Sequence, residues 1–159
     1  MADVDDHMIQ LAVELGRVGA EARAGGPFGA VVARGDEILG QAHNRVLASN
    51  DPTAHAEVEA IRQAAIALGS PHLTGATLYA SCEPCPMCAG AAMWARVDRV
   101  VYASTRDDAR RWGGYDDDEF WADLTRPVAE RHLPHTQRGH AEAVQVWRWF
   151  ATRPGDLHY

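Results

Sequence analysis

Leu78-Tyr79-Ala80-Ser81-Cys82-Glu83-Pro84-Cys85-Pro86-Met87-Cys88 begins as a β-prone run and ends in two cysteines three residues apart. In the first turn of a helix, side chains at that spacing leave from one face, so Cys85 and Cys88 can bind one metal ion. A third ligand is then needed, and His55 in His55-Ala56-Glu57 is the best candidate. Two thiolates, one imidazole and one open position make a catalytic zinc rather than a closed structural one. Glu57, two residues past His55, is placed to reach water at the open position rather than to become a fourth ligand. The competing readings of Cys85 and Cys88 are a zinc-ribbon half-site and a redox pair. A ribbon needs a second C-x-x-C, and the chain has none.

Outward from this stretch, periodicity predicts the remaining elements. Met8, Leu11, Ala12, Leu15 and Val18 form one face of a helix over 3–23. Gly25-Gly26-Pro27 breaks the chain, and Phe28 to Val32 and Ile38 to Ala42 read as a hairpin around Arg34-Gly35-Asp36-Glu37. Asn50-Asp51-Pro52-Thr53 reads as a helix start, with Asp51 as cap and Pro52 at the first helical position. That helix runs through Val58, Ile61, Ala65 and Leu68 to Gly69-Ser70-Pro71. Ala76 to Ala80 is a strand, the helix after Cys85 is expected to face the core with Met87, Ala91 and Trp94, and Val97 to Ala103 is a further strand. Past Ser104 the pattern weakens: Asp116-Asp117-Asp118-Glu119 reads as solvated surface, and Gln137 to Ala151 as a closing amphipathic helix with Ala141, Val144, Trp147 and Phe150. Strands alternating with helices imply a layered α/β domain whose later strands are parallel. Both metal half-sites then open helices, whose positive ends favour the thiolates.

A chain of 159 residues is long enough for one domain and short for two. Its formal net charge is −7, and all 15 basic side chains are Arg. An overall negative field repels phosphate backbones and weighs against a nucleic-acid partner. Of three cysteines, two are assigned to metal, so Cys82 is unpaired, no disulfide framework is available, and the expected compartment is the cytoplasm. No apolar run approaches membrane-spanning length, and the stretch from Met1 to His7 has acidic residues where a signal peptide is basic.

The His55-x-Glu57 and Pro84-Cys85-x-x-Cys88 words together are the signature of zinc nucleobase deaminases. The chain resembles the cytidine deaminase superfamily, and within it the small bacterial guanine deaminases. The likeness is carried by Gly25-Gly26-Pro27-Phe28-Gly29-Ala30-Val31-Val32, by Asn50-Asp51-Pro52-Thr53-Ala54-His55-Ala56-Glu57, by the stretch from Leu78 to Gly90, by Trp94-Ala95-Arg96, by Tyr115-Asp116-Asp117 and by Trp147-Arg148. It implies a three-layer α/β fold, with a central mixed sheet and helices on both faces, over a single domain 1–159. It also implies a Zn2+ cofactor and hydrolysis of guanine to xanthine and ammonia in purine catabolism.

The resemblance further assigns roles: His55, Cys85 and Cys88 as zinc ligands, Glu57 as proton shuttle, Asn44 and Asp117 as groups that hydrogen-bond the base, and Phe28 and Trp94 as pocket walls. Backbone N–H groups at Ala56 and at the helix start near Cys85 are candidate donors to the developing negative charge. Each role has a plainer alternative: Asn44 as a strand-end turn former, Asp117 as surface, Phe28 and Trp94 as core, Cys82 as an inert buried thiol. The chain departs from the family word in Asp116-Asp117-Asp118-Glu119-Phe120, which has one acidic residue more; alignment from Tyr115 selects Asp117 and alignment from Phe120 selects Asp118. His43, His72, His132, His135, His140 and His158 have no metal-ligand spacing with the metal-binding words and read as surface. The family also implies a homodimer in which residues 137–159 are exchanged and Tyr159 covers the partner's site. Alternatives are a guanosine, cytosine or triazine (ammeline-type) aminohydrolase, a tRNA adenosine deaminase, and a non-catalytic zinc-stabilised binding module.

Overall fold

The computed structural model describes residues 2–153, 155 and 159, and they form two compact units, one up to Asp117 and one from Asp118. The first unit contains α1 (Ala2–Glu21), β1 (Gly29–Arg34), β2 (Glu37–His43), α2 (Val46–Ser49), α3 (Ala56–Leu68), β3 (Thr77–Cys82), α4 (Pro86–Ala95), β4 (Arg99–Ser104) and α5 (Arg106–Asp108). The sheet order is β2-β1-β3-β4. β1 runs antiparallel to β2 and to β3, and β3 runs parallel to β4, so the sheet is mixed.

The alternation of side chains along a strand assigns the two faces. Val31 and Ala33 of β1, with Tyr79 of β3, pack on Met8 and Ala12 of α1. Ala30 and Val32, with Leu78, pack on Ala56, Ala60 and Ala64 of α3 and Ala92 and Ala95 of α4. This is the three-layer α/β arrangement expected from the sequence. Its layers are thin because the core is rich in alanine, and two strand glycines allow the approach. A Cβ on Gly29 would lie 2.1 Å from the Ala12 carbonyl oxygen of α1, and one on Gly40 would lie 2.3 Å from that of Ala60 in α3. The outer end of α1 is fastened by polar contacts: Asp5 accepts from the Tyr79 hydroxyl at 2.7 Å and from Arg99 at 2.5 and 3.1 Å.

Several expectations need correction. Val18 is exposed, and the buried stripe of α1 continues through Gly16 and Gly19 instead. The second long helix starts at Ala56, not at Pro52, because the Asp51 carboxylate accepts from both the N–H and the hydroxyl of Thr53 and closes a turn there. On α4 the core stripe is Cys88, Ala92 and Ala95, while Met87 and Ala91 are half-buried and Trp94 is exposed. Turning Cys88 inward fixes the helix rotation, and the face carrying Trp94 follows one residue off. His43 and His72 are half-buried rather than surface; the His43 ring lies under α1 at Gly19.

The second unit contains α6 (Asp118–Leu124), a short 3-10 turn (Val128–Glu130) and α7 (His140–Ala151). The acidic run therefore straddles a helix start: Asp118 and Glu119 occupy the first turn of α6, where negative charge suits the helix dipole. Asp123 holds the following loop, accepting from the His132 N–H at 2.8 Å. α7 carries the predicted amphipathic pattern, and Trp147 meets Phe150 edge to face at 6.2 Å. Val146, Trp147 and Trp149 are exposed.

Candidate metal centre and active site

His55 is the N-cap of α3 and Cys85 the N-cap of α4, both in extended conformation and neither making a side-chain cap hydrogen bond. Their side chains are thus released from the helix ends toward each other. Pro86 follows at the first position of α4, where its missing N–H costs nothing, and Cys88 enters from the first turn. His55 Nδ1 lies 3.6 Å from Cys85 Sγ and 3.5 Å from Cys88 Sγ. The three donor atoms lie within 4.8 Å of one another, and among the described residues no other such cluster of metal-ligating side chains occurs.

These distances test whether zinc fits. With Zn–S of about 2.3 Å and Zn–N of about 2.0–2.1 Å, a tetrahedron has N···S edges of about 3.5–3.6 Å. The donor set and its spacing match, with one vertex left over. His55, Cys85 and Cys88 are positioned to bind the ion. Without metal, the three groups share protons among themselves: the hydrogen bond from Cys88, and then that from His55, pulls the Cys85 thiol down to about 4. Cys88 is pushed up chiefly by donating to Cys85, and His55 is raised chiefly by its bond to Cys85.

Glu57 stands in the first turn of α3, 7% exposed. Burial pushes its carboxyl above the usual carboxylate range. A buried, proton-avid carboxylate two residues from a metal ligand is suited to general acid–base work. Ala56, fully buried, presents one of the backbone N–H groups that a helix start leaves without an intrahelical partner.

Asn44 is 5% exposed. Its backbone N–H donates to the Phe28 carbonyl at 2.9 Å, and its Oδ1 accepts from Val46 N at 3.1 Å at the start of α2. The turn-forming role is therefore present, and it orients the amide. Phe28 is half-buried and touches the core of α3 and α4 on one side. On the other it meets Tyr115 edge to face at 4.9 Å. A cavity of about 300 Å³ opens there, walled by Phe28, Cys82, Ser104, Asp108, Trp112 and Tyr115, among others. Its lining does not include the metal ligands. Cys82 lies on that lining, and burial, first, and then the charge of Glu57 raise its thiol. Asp117 is half-buried, whereas Asp116 and Asp118 are exposed. Trp94 is 71% exposed and outside the cavity lining, and Tyr159 is exposed. His158 lies outside the described residues.

Sequence reasoning did not anticipate the cavity wall formed by Trp112 and Tyr115. The chain leaves α5 through a π-helical turn, Ala109–Gly113, that ends at Gly114 with φ 73°. A single inserted residue in a helix has no periodic signature, although such turns mark functional segments often. Tyr115 was visible only as part of a family word.

Comparison with known proteins extends this picture. The family model of the cytidine and deoxycytidylate deaminase zinc-binding region matches residues 2–104. Guanine deaminase of Bacillus subtilis (strain 168) is 45% identical over 148 residues, covering 91% of this chain and 94% of that protein. The X-ray structure of guanine deaminase from Bacillus subtilis superposes with a TM-score of 0.86 at 43% identity, covering 94% of this chain and 96% of that one. A tRNA-specific adenosine deaminase of Bacillus subtilis is 46% identical over 85 residues, 54% of this chain and 53% of that protein. By the residues matched and by the donor set they build, this chain belongs to the cytidine and deoxycytidylate deaminase zinc-binding family.

Proposed function

We propose that this chain is a zinc-dependent aminohydrolase that converts guanine and water to xanthine and ammonia. One observation carries the choice of base. The likeness to guanine deaminase spans 148 residues and so passes well beyond the metal-binding region, into the segment that walls the cavity. The likeness to the tRNA-specific enzyme spans 85, and the acidic chain offers little to an anionic stem-loop.

His55, Cys85 and Cys88 would hold the zinc, which when bound would acidify a water toward neutrality and so provide the nucleophile. Glu57 accepts one proton from the attacking water and passes it to the ring nitrogen beside C2; it then takes the second from the hydroxyl now on C2 and delivers it to the amine, which leaves as ammonia while the C2 carbonyl forms. Its raised proton affinity suits a group that must take up a proton and give it away in each of the two transfers. N–H groups at Ala56 and near Cys85 face the growing negative charge. Asn44, oriented by its bond to Val46, and Asp117 read the polar edge of the base, while Phe28 and Trp94 flank its faces. The half-burial of Asp117 against the exposure of Asp118 supports alignment from Tyr115.

We read residues 1–159 as one deaminase domain, with 137–159 as a closing helix and tail exchanged in a homodimer, so that Tyr159 covers the partner's site. The exposed apolar side chains of α7 support an interface there. A cytoplasmic place in purine catabolism accompanies this reading. Ammonia release from guanine, guanosine, cytosine, adenine and ammeline tests it. Turnover of guanine above the others is expected; preference for guanosine, cytosine or ammeline assigns the alternative substrate, and release from none overturns the catalytic reading.

A further inference from the structure

The β3–β4 ladder reaches its last pair at Cys82 and Ser104, and one more backbone bond follows, from Glu83 N to Ser104 O at 2.8 Å. In a parallel ladder the next bond would run from Arg106 N to the backbone carbonyl of Glu83. Instead, Arg106 N donates to the side-chain Oε2 of Glu83 at 3.2 Å, and Arg106 Nε lies 3.5 Å from Oε1. The Glu83 carboxylate substitutes for its own carbonyl while the chain turns away at Pro84 to deliver Cys85. Residue 83 is thereby tied to the start of the segment that forms the cavity wall. From Arg106 the chain enters α5, whose start is closed by reciprocal bonds between Thr105 and Asp108. It then places Ala109, Trp112 and Tyr115 on the cavity, and Asp117 follows two residues later.

We propose that Glu83 is a positioning residue of the substrate pocket. It locks segment 106–117 to the loop that carries Cys85, and so sets how tightly the base is held rather than how fast protons move. An ion pair as exposed as Glu83–Arg106, each side chain about one third accessible, adds little to global stability. Its effect is local geometry. This proposal rests on the aminohydrolase reading for its kinetic arm only.

The test compares Glu83→Ala and Glu83→Gln in the zinc-loaded protein. Losing one hydrogen bond to a charged group corresponds to about tenfold in an equilibrium constant. Glu83→Ala is therefore expected to raise KM for guanine about tenfold, with kcat within about twofold and zinc still equimolar with chain. Glu83→Gln keeps an amide oxygen for the Arg106 N–H and is expected to restore most of the loss. Independently of activity, trypsin is expected to cut after the exposed Arg110 and Arg111 faster in Glu83→Ala than in wild type, with Glu83→Gln close to wild type. A fall in kcat at unchanged KM, loss of zinc, or equal cleavage rates in all three proteins would overturn the proposal. A Glu83→Ala chain that does not fold leaves the Gln variant to decide, since a Gln variant with fast cleavage and unrestored KM would overturn it too. If wild type releases no ammonia from any base, the aminohydrolase reading falls and the cleavage rates still judge the tether.

Discussion

Glu57→Gln preserves the volume of a buried side chain while removing its charge and its capacity to carry a proton. None of the three metal donors is touched, and His55 Nδ1 keeps its 3.5 and 3.6 Å separations from the two sulfurs, so zinc is expected to remain equimolar with chain. Turnover is not. General acid–base catalysis contributes about 10² to 10⁴ in rate, or about 3–5 kcal/mol of activation free energy at about 1.4 kcal/mol per decade. Stability gives a separate reading. Burial raises the folded-state pKa of Glu57 above that of an exposed glutamate, so between these values the folded chain holds a proton that the unfolded chain has released. Stability then falls as pH rises through that window, and Gln removes this loss. Metal-free Glu57→Gln is expected to melt at or above wild type at pH 7, whereas a carboxylate kept for structure would lower the melting temperature when replaced. The measurements are ammonia release at saturating guanine, zinc by elemental analysis, and thermal melts of chelated protein at pH 4.5 and 7. A Gln variant within about tenfold of wild-type turnover would refute the assignment.

Cys85→Ala is expected to lose the zinc and Cys82→Ala to retain it, as elemental analysis of the purified proteins will report, because the Cys82 thiol faces Thr105 and the cavity rather than His55. Asp117→Asn is expected to weaken guanine turnover about tenfold or more with little change in melting temperature, and Asp118→Asn to do neither; the reverse pattern would select the alignment from Phe120. Removing His158 and Tyr159 is expected to leave zinc and folding intact and to lower guanine turnover. Co-refolding that truncation with Glu57→Gln chains is expected to recover part of the activity, and loss without recovery would put the lid within one subunit.

Legibility from sequence followed the kind of signal each residue gives. His55-x-Glu57 and Pro84-Cys85-x-x-Cys88 were readable because ligand chemistry restricts both residue type and spacing, and the structure brings the His55, Cys85 and Cys88 side chains together. The hairpin, the strand before Cys82 and the parallel β4 followed from apolar runs punctuated by glycine and proline. Helix rotation was harder. With Ala92 and Ala95 facing inward and Trp94 outward on α4, hydrophobicity pointed to the wrong face, since a thin alanine core leaves little contrast between faces. The start of α3 was misplaced because the bonds that Thr53 donates to the Asp51 carboxylate compete locally with helix initiation. Segment 106–114 escaped altogether: α5 has three residues and the π-helical turn five, too few to show a period.

Helix α3 begins on His55 and α4 on Cys85, at the position where most helices carry Ser, Thr, Asp or Asn. A capping residue there would add about 1 kcal/mol to each helix, so the chain forgoes that at both starts as long as the side chains face an ion. This gives descendants of the fold a direction of decay. A copy released from holding metal gains stability by drifting to Ser, Thr, Asp or Asn at 55 and 85, whereas Cys88, inside the first turn and fully buried, has no such alternative and would drift toward alanine. Paired capping residues at those two positions, with a small apolar residue at 88, would mark retired members of the lineage from sequence alone.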